Sequence, residues 1–247
     1  MHRFYAPGFV LQQEVALPED EAHHLAKVMR LKEGDLVAVF DGLGHEAGAR
    51  VQKIAGRRVT VKAEEKRAAA QEPGIAITLA QALLKGDKMD RVIRDAVMLG
   101  AAAIQPLTSA RTEVPREAVR AGGRQARWER TVIASVKQCG RAIVPPVYPT
   151  LALPELLRAE SDVLCLMFVE PGAEALSTAG TSLESLETRV PGKVTILVGP
   201  EGGWEPQEIS DALDAGVTLV SLGQRVLRAD AAGALAIAVL QYVWKDF

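Results

Sequence analysis

The chain has little cysteine, few aromatic residues, almost no net charge and no long hydrophobic run. Its two cysteines, Cys139 and Cys165, are too few for a disulfide framework and form no CxxC pair for zinc. A net charge of −2 over 247 residues excludes a globally basic protein. No apolar stretch is long enough to span a bilayer. The opening Met1-His2-Arg3-Phe4-Tyr5 lacks the long apolar segment of a secretory signal. Aromatics are 4% of the chain, a bias with little functional content. Internal repeats are absent, and so are low-complexity tracts beyond one short charged segment. The expectation is a reduced, cytoplasmic protein that needs neither membrane nor metal.

What is present is a large apolar fraction, 48%, enough for one large domain or two modest ones. Charge is unevenly spread. Residues 85–146 hold twelve Lys/Arg and six Asp/Glu, a balance of +6, whereas residues 147–247 hold six and fourteen, a balance of −8. A basic middle beside an acidic last third can grip a polyanion on one face, or can equally be a set of solvated helix faces.

Two regions differ in pattern. Residues 1–67 read as a small strand-rich domain: a helix over 19–30 with Glu19, Asp20 and Glu21 in its first turn, then strands over 36–40, 46–54 and 58–63. Residues 68–74 read as a linker within the charged, alanine-rich run that closes on Pro73-Gly74. Residues 75–247 alternate strands and helices, which means a mostly parallel α/β sheet. Strands are expected over 75–80, 103–107, 163–169, 194–198 and 217–221, and helices over 87–99, 125–139, 206–215 and 230–244. The last helix is apolar on more than one side through Ala232, Leu235, Ala236, Val239, Leu240, Val243 and Trp244. It should be buried by core or by a partner.

Two stretches follow β-branched runs. One is Val198-Gly199-Pro200-Glu201-Gly202-Gly203-Trp204, the other Leu222-Gly223-Gln224-Arg225-Val226-Leu227-Arg228. Neither is a Walker loop nor a GxGxxG fingerprint. Glycine turns at strand ends let main chain approach a ligand closely. A basic helix carries Arg116, Arg120 and Arg124 at a spacing of four. Arg127, Thr131, Ala134, Gln138 and Arg141 continue one face. Guanidinium forks suit phosphate oxygens. His23-His24 do not make a metal pair, because adjacent helical residues diverge by about 100°.

In wording and order the two glycine loops resemble the cofactor loops of the knotted SPOUT methyltransferases. The resemblance extends over nearly the whole chain to the bacterial 16S rRNA (uracil-N3)-methyltransferase family. It is carried by Arg3-Phe4-Tyr5, His23-His24-Leu25, Val28 through Asp35, Lys85-Gly86-Asp87-Lys88-Met89-Asp90, Arg127-Trp128, Gln138-Cys139-Gly140-Arg141 and both loops. Where that family shows Thr-Glu-Thr-Ala after the second loop, this chain has Ala229-Asp230-Ala231-Ala232, and Met98-Leu99-Gly100 replaces Glu-Leu-Gly.

The resemblance implies an N-terminal PUA-like barrel, a C-terminal trefoil-knotted domain, S-adenosylmethionine as cofactor, 16S rRNA or the small ribosomal subunit as substrate, and a homodimer through the C-terminal domain. The cofactor is expected on Val198, Gly199, Pro200, Glu201, Gly202, Gly203, Leu222, Gly223, Val226, Leu227 and Arg228. Arg228 and Arg141 are expected to stabilise a uracil anion. Glu201 or Asp230 would orient the cofactor or accept the proton, with Asp230 suited to cap the last helix. RNA contacts are expected from Arg3, Arg30, Lys32, Arg116, Arg120, Arg124, Arg127, Gln138 and Arg141. Two alternatives stand beside this reading: a non-catalytic RNA-binding or ribosome-assembly protein on the same fold, and a SPOUT enzyme with another RNA substrate.

Overall fold

The computed structural model describes residues 1–114, 123–159, 163–173, 183–188 and 190–246. Arg116 and Arg120 lie outside them. The chain divides into two compact units, Met1–Glu72 with Ile133–Val144, and Pro73–Val132 with Pro145–Phe247.

The first unit is a five-stranded sheet in the order β1-β3-β4-β5-β2. Its strands are β1 (Arg3–Tyr5), β2 (Glu14–Ala16), β3 (Leu36–Phe40), β4 (Glu46–Ala55) and β5 (Arg58–Arg67). β1 runs parallel to β3 and the other pairs are antiparallel. Alternation along β4 and β5 sends Ala47, Ala49 and Val51, and Val59, Val61 and Ala63, inward onto Phe4, Leu25, Val37 and Val39. The helix expected over 19–30 is shorter and changes type. α1 (Glu19–His23) widens into a π-helical segment, His24–Val28, and Arg30 takes a left-handed φ of 54°.

The segment 133–144 belongs to this unit, which the sequence pattern did not announce. Its backbone joins the β3–β4 turn through Gly44 N–H to Ala142 O (3.1 Å) and Val144 N–H to Gly42 O (3.0 Å). Arg3 also holds it, donating to the carbonyls of Val136, Lys137 and Arg141 at 2.7–3.0 Å and to Glu46 at 2.7 Å.

The second unit contains a six-stranded, all-parallel sheet in the order β11-β9-β10-β6-β7-β8. The strands are β6 (Ala76–Ala82), β7 (Ala103–Thr108), β8 (Leu151–Ala152), β9 (Leu164–Phe168), β10 (Lys193–Val198) and β11 (Thr218–Val220). Its helices are α2 (Lys88–Met98), α3 (Gly123–Cys139, whose last turns lie in the first unit), α4 (Leu153–Ala159), α5 (Leu183–Leu186), α6 (Pro206–Asp214) and α7 (Ala229–Trp244). Both faces of the sheet are covered, so its strands read as near-continuous apolar runs. One face meets Leu153, Leu156, Ile209 and Ala212. Against the other, α7 lies close to β6: a Cβ on Gly233 would stand 3.2 Å from both Leu79 methyls.

Candidate functional site

In a parallel sheet all carboxyl ends share one edge, and ligands bind there. Here β11, β9 and β10 are neighbours. Three turns therefore converge: 221–228 after β11, 169–173 after β9 and 199–205 after β10. They enclose a cleft of about 460 Å³, a size that suits a small ligand or cofactor.

The β10 turn supplies Gly199, Pro200, Glu201, Gly203 and Trp204 to the wall. Trp204 turns its ring back under Gly199, whose Cβ, if present, would sit 3.2 Å from the indole. The indole Nε1 donates to Phe168 O at 3.0 Å and so ties the β10 turn to the end of β9. Gly203 has φ +69°, a left-handed conformation that side chains disfavour, and a Cβ there would meet Glu170 Oε1 at 3.2 Å. Beneath the turn, fully buried Gln81 donates through Nε2 to the carbonyls of Val198 and Gly199 at 3.4 and 3.3 Å. Glu205 and Glu208 form a reciprocal capping box that starts α6 directly behind it.

The β11 turn supplies Leu222, Arg225, Val226, Leu227 and Arg228. The main-chain groups of Gln224–Leu227 form no hydrogen bond with a described residue. They stand ready for a ligand beside the apolar side chains of Leu222, Val226 and Leu227. Apolar lining with free backbone donors and acceptors fits an adenine ring with its hydrogen-bonding edge, and the cleft's carboxylates fit hydroxyl and ammonium groups. S-adenosylmethionine carries all of these.

Two ion-pair sets border the cleft. Glu201 Oε1 accepts from Lys88 Nζ at 2.9 Å and from Lys85 N–H at 3.2 Å, which braces the β10 turn on the start of α2. Burial pushes its carboxyl up. Hydrogen bonds from Lys88 and from the backbone N–H groups of Glu201 and Lys85 outweigh that and hold it below the ordinary value. Asp230, buried, accepts from Arg228 Nε and Nη2 at 2.9 Å each and from Arg91 Nη1 at 3.3 Å. The Arg228 hydrogen bond is the main cause of its lowered carboxyl, against burial, with the Arg228 and Arg91 charges adding to it. Asp230 does not cap α7. That position is Arg228, and Asp230 is the second helical residue, its charge still favourable near the helix N-terminus.

Most expected cofactor residues thus meet at one cleft, including Val198. Gly202 and Gly223 do not line it. Gly202 turns outward onto Arg111, whose Nη1 donates to its carbonyl at 2.9 Å, and Gly223 serves the turn itself with φ +92°. Arg141 is also absent from the wall. It follows Gly140, which ends α3 with φ +87°, so it leaves the helical face. Its buried guanidinium is forked onto Glu72 at 2.6–3.1 Å. A group so occupied is a structural brace and not an anion stabiliser. Arg3, held by Glu46 and three carbonyls, is likewise withdrawn from RNA. Exposed Arg30, Lys32 and Gln138 and half-exposed Arg124 remain available. Arg127 is exposed and pairs with Asp90. His24 packs edge-on to Phe4 with Nδ1 3.1 Å from Lys137 Nζ. Burial first, then the Lys137 charge, lowers its basicity.

Sequence reasoning missed the third wall, Phe168–Pro171, and the cations Lys88 and Arg91. The first had a faint signal, the Glu170-Pro171-Gly172 break after an apolar strand. The ion pairs join residues more than a hundred positions apart and had none. Among the described residues no helix is long and apolar enough to cross a membrane.

A family model described as RNA methyltransferase domain matches residues 71–241, and one described as RNA methyltransferase PUA domain matches residues 17–64. Ribosomal RNA small subunit methyltransferase E of Synechocystis sp. is 32% identical over 235 residues, covering 94% of this chain and 74% of that protein. The protein of the same name from Bacillus subtilis is 27% identical, covering 90% and 88%. The crystal structure of ribosomal RNA small subunit methyltransferase E from Neisseria gonorrhoeae, bound to S-adenosyl methionine, superposes with a TM-score of 0.85 at 35% identity, covering 99% and 98%.

Proposed function

The chain belongs to the RNA methyltransferase family of which ribosomal RNA small subunit methyltransferase E is a member, and from that premise we propose that it methylates N3 of one uridine in 16S rRNA. The observation that carries the assignment to a site is the cleft at three adjoining strand ends, lined by free backbone, apolar side chains and two ion-pair sets. S-adenosylmethionine, when bound, supplies an electrophilic methyl carbon whose bond to sulfur breaks as the bond to N3 forms.

The chain's own residues do the rest. Gly199, Gly203 and the 224–227 backbone hold the cofactor close, and Leu222, Val226 and Leu227 cover its apolar face. Uracil N3 sits on the Watson–Crick edge and carries a proton, so the base must be unpaired or flipped before attack. Arg228, 72% exposed at its side chain and lining the cleft, faces the incoming base and stabilises the charge left when that proton departs. Glu201 and Asp230 are each held ionised by cations, which makes them weak bases. They orient Lys88 and Arg228, and the proton leaves to water at the open side.

The reading extends to a trefoil-knotted second unit, to a cytoplasmic place of action on the ribosomal substrate, and to a homodimer. Leu235 and Tyr242 on α7 are 44% and 77% exposed, with Ala231 and Ala238 beside them on the same helical stripe. An apolar stripe of this kind supports a partner helix. RNA is gripped by exposed Arg30, Lys32, Arg124 and Arg127 with Gln138, and by the basic stretch containing Arg116 and Arg120. Purified protein incubated with S-adenosylmethionine and 16S rRNA, followed by digestion to nucleosides and mass spectrometry, should yield 3-methyluridine. Binding of both without any methylated nucleoside would favour a non-catalytic RNA-binding protein, and a ribose-methylated nucleoside would move the substrate chemistry elsewhere.

A further inference from the structure

The two ion-pair sets at the cleft differ in charge. Lys88 and Glu201 match one to one and cancel. Asp230 is shared by two arginines, Arg228 from its own turn and Arg91 from α2, so this set carries an excess of one positive charge. Of the two arginines on Asp230, Arg228 lines the cleft, as do Arg225 and Lys88. Arg91 reaches Asp230 without entering it.

Had Asp230 only Arg228 for a partner, the two would form a neutral fork. The arginine would then offer a substrate anion little net attraction. Asp230 is almost fully buried, with 5% of its side chain exposed, so water does not substitute well for the missing donor. Arg91 donates to Oδ2, the same oxygen that accepts from Arg228 Nη2. It thereby neutralises the carboxylate and fixes its rotamer. A fixed carboxylate in turn fixes the guanidinium of a side chain that is otherwise 72% exposed. Among the described residues the charged groups paired with Asp230 are these two arginines; Lys88 and Glu201 are taken up with each other.

We infer that Arg91 is a positioning residue for methyl transfer: by sharing Asp230 it leaves Arg228 oriented and with uncancelled charge toward the uracil anion. The inference rests on the uracil-N3 reading above.

Its test is single-turnover methylation of 16S rRNA at saturating S-adenosylmethionine across pH, with calorimetric cofactor binding, on the parent chain and on Arg91→Gln and Arg91→Lys. Arg91→Gln keeps a donor and loses the charge. Its rate at neutral pH should fall about ten-fold, and its rising pH limb should move up by about one unit, the effect expected of one lost nearby cation. Its cofactor Kd should stay within about threefold, the small change expected where no direct contact is lost. Arg91→Lys keeps the charge and should retain the parent's pH limb. If Arg91→Gln has the parent's pH limb, or loses rate only through weaker cofactor binding or a lower melting temperature, Arg91 is a structural brace and the inference is overturned. A displaced limb in Arg91→Lys would overturn it as well. If the parent itself places no methyl on uracil N3, the functional reading falls, and this inference with it.

Discussion

Replacing Gly203 with valine isolates the backbone demand at the cleft. Gly203 has φ +69°, and a Cβ built on it stands 3.2 Å from Glu170 Oε1. A left-handed conformation costs an L-residue about 1–2 kcal/mol, and β-branching puts valine at the upper end. The contact with Glu170 adds less, because that carboxylate is exposed and can move. The free protein relieves about 2 kcal/mol by rearranging the turn. Binding must restore the turn, which raises the cofactor Kd by about 30-fold. Calorimetry with S-adenosylmethionine reads the affinity, and circular dichroism checks that the fold is kept. Gly202→Ala is the control. Its added methyl would press on Arg111, 3.3 Å away, outside the cleft, so affinity should change by less than about threefold. A folded Gly203→Val that binds as tightly as the parent would refute the placement of the cofactor against this turn.

Other perturbations read other links of the account. Trp204→Phe removes the buried Nε1 hydrogen bond to Phe168 O; thermal unfolding should show a loss of about 1–2 kcal/mol, with weaker cofactor binding. Arg141→Met leaves the Glu72 carboxylate, 24% exposed, without its fork. It should cost about 2–4 kcal/mol in chemical denaturation, and unaltered stability with lost turnover would restore Arg141 to the chemistry. Glu201 has a depressed carboxyl, so its contribution is complete above the ordinary value of 4.5 and is lost as pH falls through the lower folded value. Cofactor affinity should thus be flat above the ordinary carboxyl value and fall only as pH drops beneath it. Glu201→Gln should abolish that acid limb.

How much of this was legible in the sequence follows from the range of each interaction. The parallel sheet was readable because β10 is a short apolar run bounded by glycine and proline on both sides, and β9 one closed by Pro171-Gly172. Both glycine turns were readable because they follow such runs. Which glycine lines the cleft was not, since Gly202 and Gly203 are set apart by backbone torsion. Arg141 looked like the end of a basic helical face. Its fate depends on Gly140 breaking the helix and on Glu72, 69 positions earlier, accepting its fork. The fusion of Ile133–Val144 with the first unit rests on Arg3 reaching carbonyls more than 130 residues away, a contact with no local signature. The π-helical turn at His24–Val28 likewise gave no cue beyond an ordinary helical pattern.

Methyl transfer to uracil N3 in 16S rRNA, the activity proposed for the strand-end cleft, leaves a direct trace in the RNA. A methyl at N3 blocks Watson–Crick pairing and halts reverse transcriptase. Primer extension along 16S rRNA from cells that carry the gene, lack it, or carry it with Arg228→Met should therefore show one strong stop in the first case, none in the second and a much weaker one in the third. Identical stop patterns in all three would mean that the protein does not methylate uracil N3 in 16S rRNA.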